Sequence, residues 1–223
     1  MFSVFAKCFA PVGEEEWRAV TSRALWPDFI DAVRSALQDD RPLGAQGRPR
    51  MRARGFCPLQ EFLSEGEVSA LFSPPSYQEK RAFAARHFTG GLPDSVVPIE
   101  SLYVRNARRA DDGYIRSEGS YLGDSARYMS ALVARLGLSV PAEFSACPDH
   151  LALELDLMAV LLRSGMHHEA LTFMRERFAW LEAYRQRLLK VDDASFYIGL
   201  IDAILGVWLK HLVSEGETIG ALD

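Results

Sequence analysis

The polar side chains best suited to chemistry lie between residues 147 and 169, in an otherwise apolar stretch. His150 and Glu154 are four residues apart, so on a helix they would share one face, and His167 and His168 follow. Two histidines and a carboxylate can bind zinc or iron. Nothing in the spacing fixes a third ligand, so a metal-dependent helical enzyme that uses His150, Glu154 and His167 stands only as an alternative to a binding protein.

Nucleophilic catalysis has one candidate, Cys147, which lies three residues before His150. A protonated histidine lowers the pKa of a neighbouring thiol, but a cysteine in an apolar stretch more often has a structural role. No serine stands in a nucleophile-elbow sequence, and the G-x-x-x-x-G-K and G-x-G-x-x-G nucleotide motifs are absent from the chain. We therefore expect a protein that is not an enzyme, with no cofactor and no metal site.

A turn at Pro148 positions these polar groups. Proline disfavours helix at Cys147 and suits the first turn of the helix that follows. That helix is apolar on nearly all sides, which is typical of a buried helix. Its main apolar face holds Leu151, Leu155, Met158 and Leu162. Asp149 and His150 are therefore expected at the entrance of a core helix, where two adjacent polar groups indicate recognition.

The remaining segments show helical periodicity with no alternation of strands and helices and no internal repeat. Further helices are predicted over 14–38 (kinked or divided at Pro27), 59–72, 78–88, 118–138, 168–189 and 194–213. Residues 96–104 are predicted as an extended crossing segment or a short helix after Pro98. The predicted fold is all-α, an irregular multi-helix bundle whose two helical halves join at the Pro148-Asp149-His150 turn.

The predicted halves are residues 1–145 and 146–223, which form one compact unit. Residues 41–54 in the first half carry five arginines, two prolines and two glycines without any periodicity. This pattern predicts an exposed, solvated loop. Contact with an anionic surface is the alternative role for the loop.

Composition limits the classes of function. The 223 residues are 48% hydrophobic with a net charge of −5, which is typical of a soluble globular protein and gives no positive field for nucleic acid. The three cysteines are far apart with no C-x-x-C pair, as in a reducing cytoplasm. No stretch reaches the ~18 apolar residues of a membrane span, and residues 1–10 are expected to be a packed or frayed terminus. We expect a cytoplasmic protein without stable membrane insertion.

Acidic residues lie beside the apolar helices at Glu100, Asp124, Asp149, Glu154 and Asp156. A groove with an apolar floor and an acidic rim would bind a peptide in which basic residues precede a hydrophobic run. The alternative is that these acids cap helices and face solvent, and for Asp124 and Asp156 it is the better interpretation. Asp149 has neighbours too apolar for solvent exposure to be its whole role.

Several short motifs occur in a fixed order along the chain. Residues 148–150 resemble a proline-x-Asp-His motif. Residues 155–158 and 164–169 resemble the helices that follow that motif in the chain. Further matches are Leu71-Phe72 before two prolines, residues 98–101 and 123–125, and the aromatic residues Phe178 and Trp180. Together they extend from about residue 59 to residue 212, and in this order they resemble the TorD/DmsD/NarJ-type redox enzyme maturation chaperones.

The resemblance implies an all-α chaperone that binds the twin-arginine signal peptide of a molybdenum oxidoreductase apoenzyme. Such a chaperone assists insertion of the molybdopterin cofactor and prevents premature export of its client. The leader fits the groove expected from the residues, since its two arginines precede an apolar run. A generic helical adaptor for some other amphipathic segment is a further alternative. The chain would act as a monomer or as a dimer that exchanges helices at the Pro148 turn.

The peptide site implied by the resemblance is carried over by position. Asp149 would accept hydrogen bonds from a leader arginine or position His150 for recognition. An unperturbed histidine has a pKa near ~6.5, so His150 could change charge on binding. The full set of expected site residues is Pro148, Asp149, His150, Leu71, Phe72, Glu100, Gly123 and Asp124.

Overall fold

The structure is a computed structural model, and it describes residues 1–37, 70–71, 73–91, 94–104 and 122–219, with the backbone alone over 211–219. The predictions for the arginine-rich loop 41–54, for Phe72 and for most of the helix over 59–72 lie outside the described residues. The same holds for the first residues of the helix predicted over 118–138.

Helices account for all regular secondary structure in these ranges apart from one isolated antiparallel bridge between Ile99 and His150. The all-α prediction is confirmed. The described part of the chain also contains short 3₁₀ turns at Glu100–Leu102, Ala142–Phe144 and Phe178–Trp180. In chain order, the α-helices whose bounds lie in the described ranges are α1 Phe2–Phe9, α2 Glu14–Val20, α3 Leu25–Leu37, α4 Tyr77–His87, α5 Asp124–Arg135, α6 Leu151–Arg163, α7 His167–Arg177, α8 Leu181–Leu188 and α9 Ser195–Ile219.

The helix predicted over 14–38 is divided into α2 and α3, but the break precedes Pro27 instead of falling on it. Pro27 is the third residue of α3, where the first-turn nitrogens have no carbonyl partner within the helix and the missing N–H of proline costs nothing. The chain turns instead at Ser22, whose hydroxyl oxygen accepts a hydrogen bond from the Leu25 nitrogen at 3.2 Å.

The helix predicted over 168–189 is also divided, into α7 and α8 with a 3₁₀ turn between them. The turn places Phe178, Trp180 and Leu181 in the core, each of them buried. This break directs the indole of Trp180 toward α6, where it meets a carboxyl group described below.

The first and last described helices pack into the same hydrophobic core. α1 packs against α6, and α9 packs against α3, α7 and α8. Rings from α1, α4 and α9 meet in this core, where Phe83 stacks on Tyr197 with ring centroids 4.3 Å apart and Phe9 contacts the same tyrosine. The core thus contains residues from both expected halves, and their division at residue 145 stays a prediction. In the described part of the chain, no helix is long and apolar enough to cross a membrane.

Candidate functional site

The turn before α6 is fastened to the crossing segment around Ile99. The Glu100 nitrogen donates to the Asp149 carbonyl at 3.0 Å, and the Leu151 nitrogen donates to the Pro98 carbonyl at 2.9 Å. Both expectations for residues 96–104 are therefore met, because extended chain up to Ile99 leads directly into the 3₁₀ turn Glu100–Leu102. Two segments far apart in sequence are therefore joined at one junction by backbone hydrogen bonds.

His150 is the N-cap of α6. Its Nδ1 accepts a hydrogen bond from the Ala152 nitrogen at 3.1 Å, so the neutral ring carries its proton on Nε2. The ring packs against Phe144 with centroids 4.9 Å apart. Burial, together with the positive charge of Lys80, lowers the pKa of His150 to about 3. His150 is thus neutral at physiological pH in the free protein, and it does not sit near the ~6.5 of an unperturbed imidazole.

The Asp149 side chain is closed to solvent, with an exposed fraction of 0%. Its Oδ2 accepts a hydrogen bond from the Ser101 nitrogen at 2.8 Å and another from the Ser101 hydroxyl. Its Oδ1 is buried with no hydrogen-bond partner among the described residues. In this conformation Asp149 therefore holds the crossing segment.

Two further carboxyl groups are buried beside Asp149, and we call Glu100, Asp149 and Glu154 the buried carboxyl cluster. Glu100 pairs with Arg177 at the end of α7, and Glu154 Oε2 accepts from the Trp180 indole nitrogen at 3.2 Å. Burial raises the pKa of Glu154 well above its ordinary value, and the negative charge of Glu100 raises it further. Burial also raises the pKa of Glu100, against the opposing effect of Arg177.

The acidic rim expected from the sequence is not formed by these groups, because Glu100, Asp149 and Glu154 are each at most 2% exposed. The other two acids, Asp124 and Asp156, are exposed, and Asp124 pairs with Arg127 on its own helix. This is the solvent-facing arrangement given as the better interpretation for these two residues. A charge buried without a partner is costly, so a buried acid either pairs with a cation, as Glu100 does with Arg177, or stays protonated.

The groups proposed for metal or nucleophilic chemistry have structural roles here. His150 caps α6, Glu154 accepts from an indole, and His167 is exposed at the start of α7. Within the described ranges, no three His, Cys, Asp or Glu residues group as a metal site. Burial and the charge of Asp149 raise the pKa of the Cys147 thiol, which is the opposite of the shift that activates a nucleophile.

An open cleft of about 570 Å³ begins at His150, and we call it the His150 cleft. It lies between the α1–α2 connection, one side of α4 and the turn that precedes α6. Arg81 and Glu143 are its exposed charges, while Lys80 is buried and donates to the Ala10 carbonyl at 2.7 Å. The apolar lining consists of Phe9, Ala10, Pro11, Val12, Tyr77, Ala84, Ala85, Phe88, Val97, Ile99 and Phe144.

A second cleft, of about 700 Å³, also lies along α4 and shares Lys80 with the His150 cleft, and we call it the Asp192 cleft. Asp192, Asp193 and Glu79 give it negative charge, and Arg86 gives it positive charge. Its apolar lining includes Pro74, Pro75, Phe83 and Phe196. The chain therefore offers two grooves that share one helix, one mainly apolar and one of mixed charge.

The structure brings together part of the expected site. Pro148, Asp149, His150 and Glu100 meet at the junction, and α5, capped by Gly123 and beginning with Asp124, packs against the 3₁₀ turn Glu100–Leu102. Leu71 is buried elsewhere, where its carbonyl accepts from the Trp26 indole of α3 at 2.8 Å.

Three residues at this junction have no role in the sequence-based prediction. Ser101 belongs to the 98–101 motif, and Trp180 is one of the two aromatic residues matched to the family. Neither motif shows that its side chain donates a hydrogen bond to a buried carboxyl group. The third residue is the cation. The need to pair buried acids predicts that some cation is present. No spacing identifies it as Arg177, which is 77 residues from Glu100 in the sequence.

Comparison with known proteins gives two matches. The model of the family described as nitrate reductase delta subunit matches residues 59–194, more than half of the chain. The chain is also 28% identical over 157 residues to the chaperone protein TorD of Shewanella piezotolerans, covering 68% of this chain and 71% of that protein. No solved structure matches the chain.

Proposed function

This chain belongs to the nitrate reductase delta subunit family, and from that membership we propose that it is a system-specific chaperone for the maturation of a molybdoenzyme. Its likeness to a protein named chaperone protein TorD supports the same role. The chaperone binds the apoenzyme and its twin-arginine signal peptide in the cytoplasm. It assists cofactor insertion and delays export, and it is not itself an enzyme.

The observation that carries the leader-binding part is the His150 cleft. Most of its lining residues are apolar, and it is open to solvent along α4. A twin-arginine leader continues from its two arginines into an apolar run, and a peptide of this kind gains affinity by laying apolar side chains into such a groove. The junction behind the groove is fixed by backbone hydrogen bonds, so little order has to be gained on binding.

The residues carried over by position divide into two roles in this proposal. His150 lies in the wall of the cleft and contacts the leader, while Pro148, Asp149 and Glu100 hold the junction behind it. Gly123 and Asp124 extend the site along α5 beside Glu100. Leu71 is buried next to Ala70, which lines the Asp192 cleft, so the proposal gives Leu71 no contact with the leader in the His150 cleft. Phe72 lies outside the described residues.

Calorimetric titration with the twin-arginine leaders of the host's molybdoenzymes tests the proposal. Ala85 is exposed on α4 and lines the His150 cleft, and Ala82 is exposed on the same helix but lines the Asp192 cleft. We expect Ala85→Trp to fill the His150 cleft and weaken leader binding about tenfold or more. Ala82→Trp, the matched control, leaves the affinity unchanged.

Two results would contradict this. If Ala82→Trp weakens binding and Ala85→Trp does not, the leader occupies the Asp192 cleft and the placement is wrong. If the wild-type protein binds none of the leaders, the leader-binding function itself is wrong.

A further inference from the structure

Arg177 lies between a buried carboxylate and an aromatic ring. Its Nη2 donates to Glu100 Oε2, and its Cζ lies 4.7 Å from the centre of the Tyr128 ring. A guanidinium is suited to this position because it is planar, pairs with carboxylates and stacks on aromatic faces. The fold therefore contains a preformed binding position for a guanidinium, filled by the protein's own side chain.

The contact that holds Arg177 there is weaker than it would be for a purely structural pair. One guanidinium nitrogen reaches Glu100, and Nε is buried without a hydrogen-bond partner in the described part of the chain. Arg185 gives the contrast, since its Nε and Nη2 donate to the two oxygens of Asp202. Bidentate pairs of the Arg185 type are the strong ones.

The carboxylates around this position are not fully satisfied. Glu154 Oε1 and Asp149 Oδ1 are buried and have no hydrogen-bond partner among the residues described. The charges of Glu100 and Asp149 both act on Glu154, and the positive charge of Arg177 opposes their effect. Asp149 Oδ1 is therefore an acceptor inside the buried carboxyl cluster that has no partner in the described part of the chain.

The position is accessible from solvent and adjoins the proposed leader groove. Tyr128 is 42% exposed, and the Arg177 side chain is 17% exposed. Ile99 and His150, paired across the bridge, line the His150 cleft, while their neighbours Glu100 and Asp149 belong to the buried carboxyl cluster. The groove and the cluster therefore share this junction.

We propose that Glu100 and Tyr128 form a guanidinium subsite for an arginine of the leader, and that Arg177 fills it until the leader displaces it. The inference rests on the proposed function and names how the site recognises its substrate. A lysine would be a poor replacement, because its ammonium group can neither stack flat on the ring nor present a planar fork. The displaced Arg177 moves toward solvent, which its partial exposure allows.

Chemical rescue tests the subsite without any leader. Arg177→Ala vacates the position, and thermal melting is followed with millimolar methylguanidinium or with methylammonium. We expect methylguanidinium to raise the melting temperature of Arg177→Ala more than methylammonium does. Arg177→Ala combined with Glu100→Gln, which lacks the carboxylate, shows no such difference. Equal effects of the two cations on Arg177→Ala would overturn the subsite.

Leader titration tests the displacement. Arg177→Met and the more conservative Arg177→Lys remove or weaken the internal competitor, so both should bind a twin-arginine leader more tightly, by about tenfold for Arg177→Met. The gain should disappear with a leader carrying two lysines. Arg185→Met, which breaks the Arg185–Asp202 pair, gives no gain.

If folded Arg177→Lys and Arg177→Met bind the leader no more tightly than the wild-type protein, the displacement is wrong while the proposed function stands. If no protein binds any leader, the proposed function fails and the displacement fails with it. The methylguanidinium result still reports on the subsite in that case.

Discussion

Ser101 donates two hydrogen bonds to a single oxygen of Asp149, one from its backbone nitrogen at 2.8 Å and one from its hydroxyl. The two residues are 48 positions apart in the sequence, and both are buried. Asp149 thus ties the crossing segment to the start of the central helix α6. A loss of leader binding on mutation of Asp149 would combine the collapse of this junction with any direct contact, so stability must be measured beside affinity.

Asp149→Ala should lower the free energy of unfolding by about 2–4 kcal/mol, because it leaves the Ser101 nitrogen and hydroxyl buried without an acceptor. Ser101→Ala should cost about 1 kcal/mol, since the backbone hydrogen bond remains. Urea unfolding of both variants and of the double variant measures the coupling between them. Additive effects in the double variant would contradict a direct interaction.

His150→Asn should remove a specific pH dependence of stability. The pKa of His150 is about 3 in the folded protein and near ~6.5 in an unfolded chain, so the unfolded state takes up the proton first as the pH falls. Stability is therefore lost below ~6.5, by up to about 1.4 kcal/mol per pH unit, until pH approaches 3. Asparagine keeps an N-cap acceptor but does not titrate.

Denaturant unfolding of wild type and His150→Asn between pH 7 and pH 4 checks this. The wild-type protein should lose stability relative to the variant as the pH falls. Parallel curves would mean that His150 accepts a proton in the folded state as easily as in the unfolded one.

Glu154 should give stability a pH dependence opposite to that of His150, and Glu154→Gln should remove it. Because the folded-state pKa of Glu154 is raised, its contribution is fully present below its ordinary value and is lost as the pH rises toward the folded-state value. Glutamine keeps an oxygen for the Trp180 indole and carries no charge. We expect Glu154→Gln to gain stability relative to the wild type between pH 4.5 and pH 8 in thermal melts. Glu182→Gln, on the exposed side of α8, is the control and should show no such trend.

Lys80→Met should act at two places. Lys80 donates to the Ala10 carbonyl after α1 and lies 5.3 Å from the Trp17 ring centre, so its loss should cost about 1–3 kcal/mol of unfolding free energy. Its charge also lowers the pKa of His150, and the variant should therefore raise that pKa. NMR titration of the imidazole measures the shift, with exposed Arg81→Met as control. An unchanged pKa in Lys80→Met would exclude the electrostatic link.

The local features of the fold were predictable from particular residues. The apolar spacing of Leu151, Leu155 and Met158 gave α6 and its burial, and Pro148 gave the turn before it. Gly137 follows the end of α5 with φ +70°, a conformation that glycine adopts without strain. Such features can be predicted from the sequence because helix periodicity and capping depend on residues within about one turn of each other.

The chemistry of the candidate site was less predictable. Asp149 and His150 were identified as unusual from their apolar neighbours, but the sequence suggested an acidic rim and a titrating histidine. In the structure, three acids are buried together and His150 is held neutral. The reason is that desolvation and charge pairing set the state of an ionisable group, and both depend on the surrounding residues in space.

The sequence by itself determined an all-α chain, a proline turn in front of a buried helix and the motifs of a chaperone family. Only the tertiary structure decided that Arg177 pairs with Glu100, 77 residues away in the sequence, and that the Trp180 indole donates a hydrogen bond to Glu154. It also decided that a mainly apolar cleft opens beside His150. Helices follow from local spacing along the chain. A buried charge needs a partner, and which side chain provides it is decided when distant segments pack together.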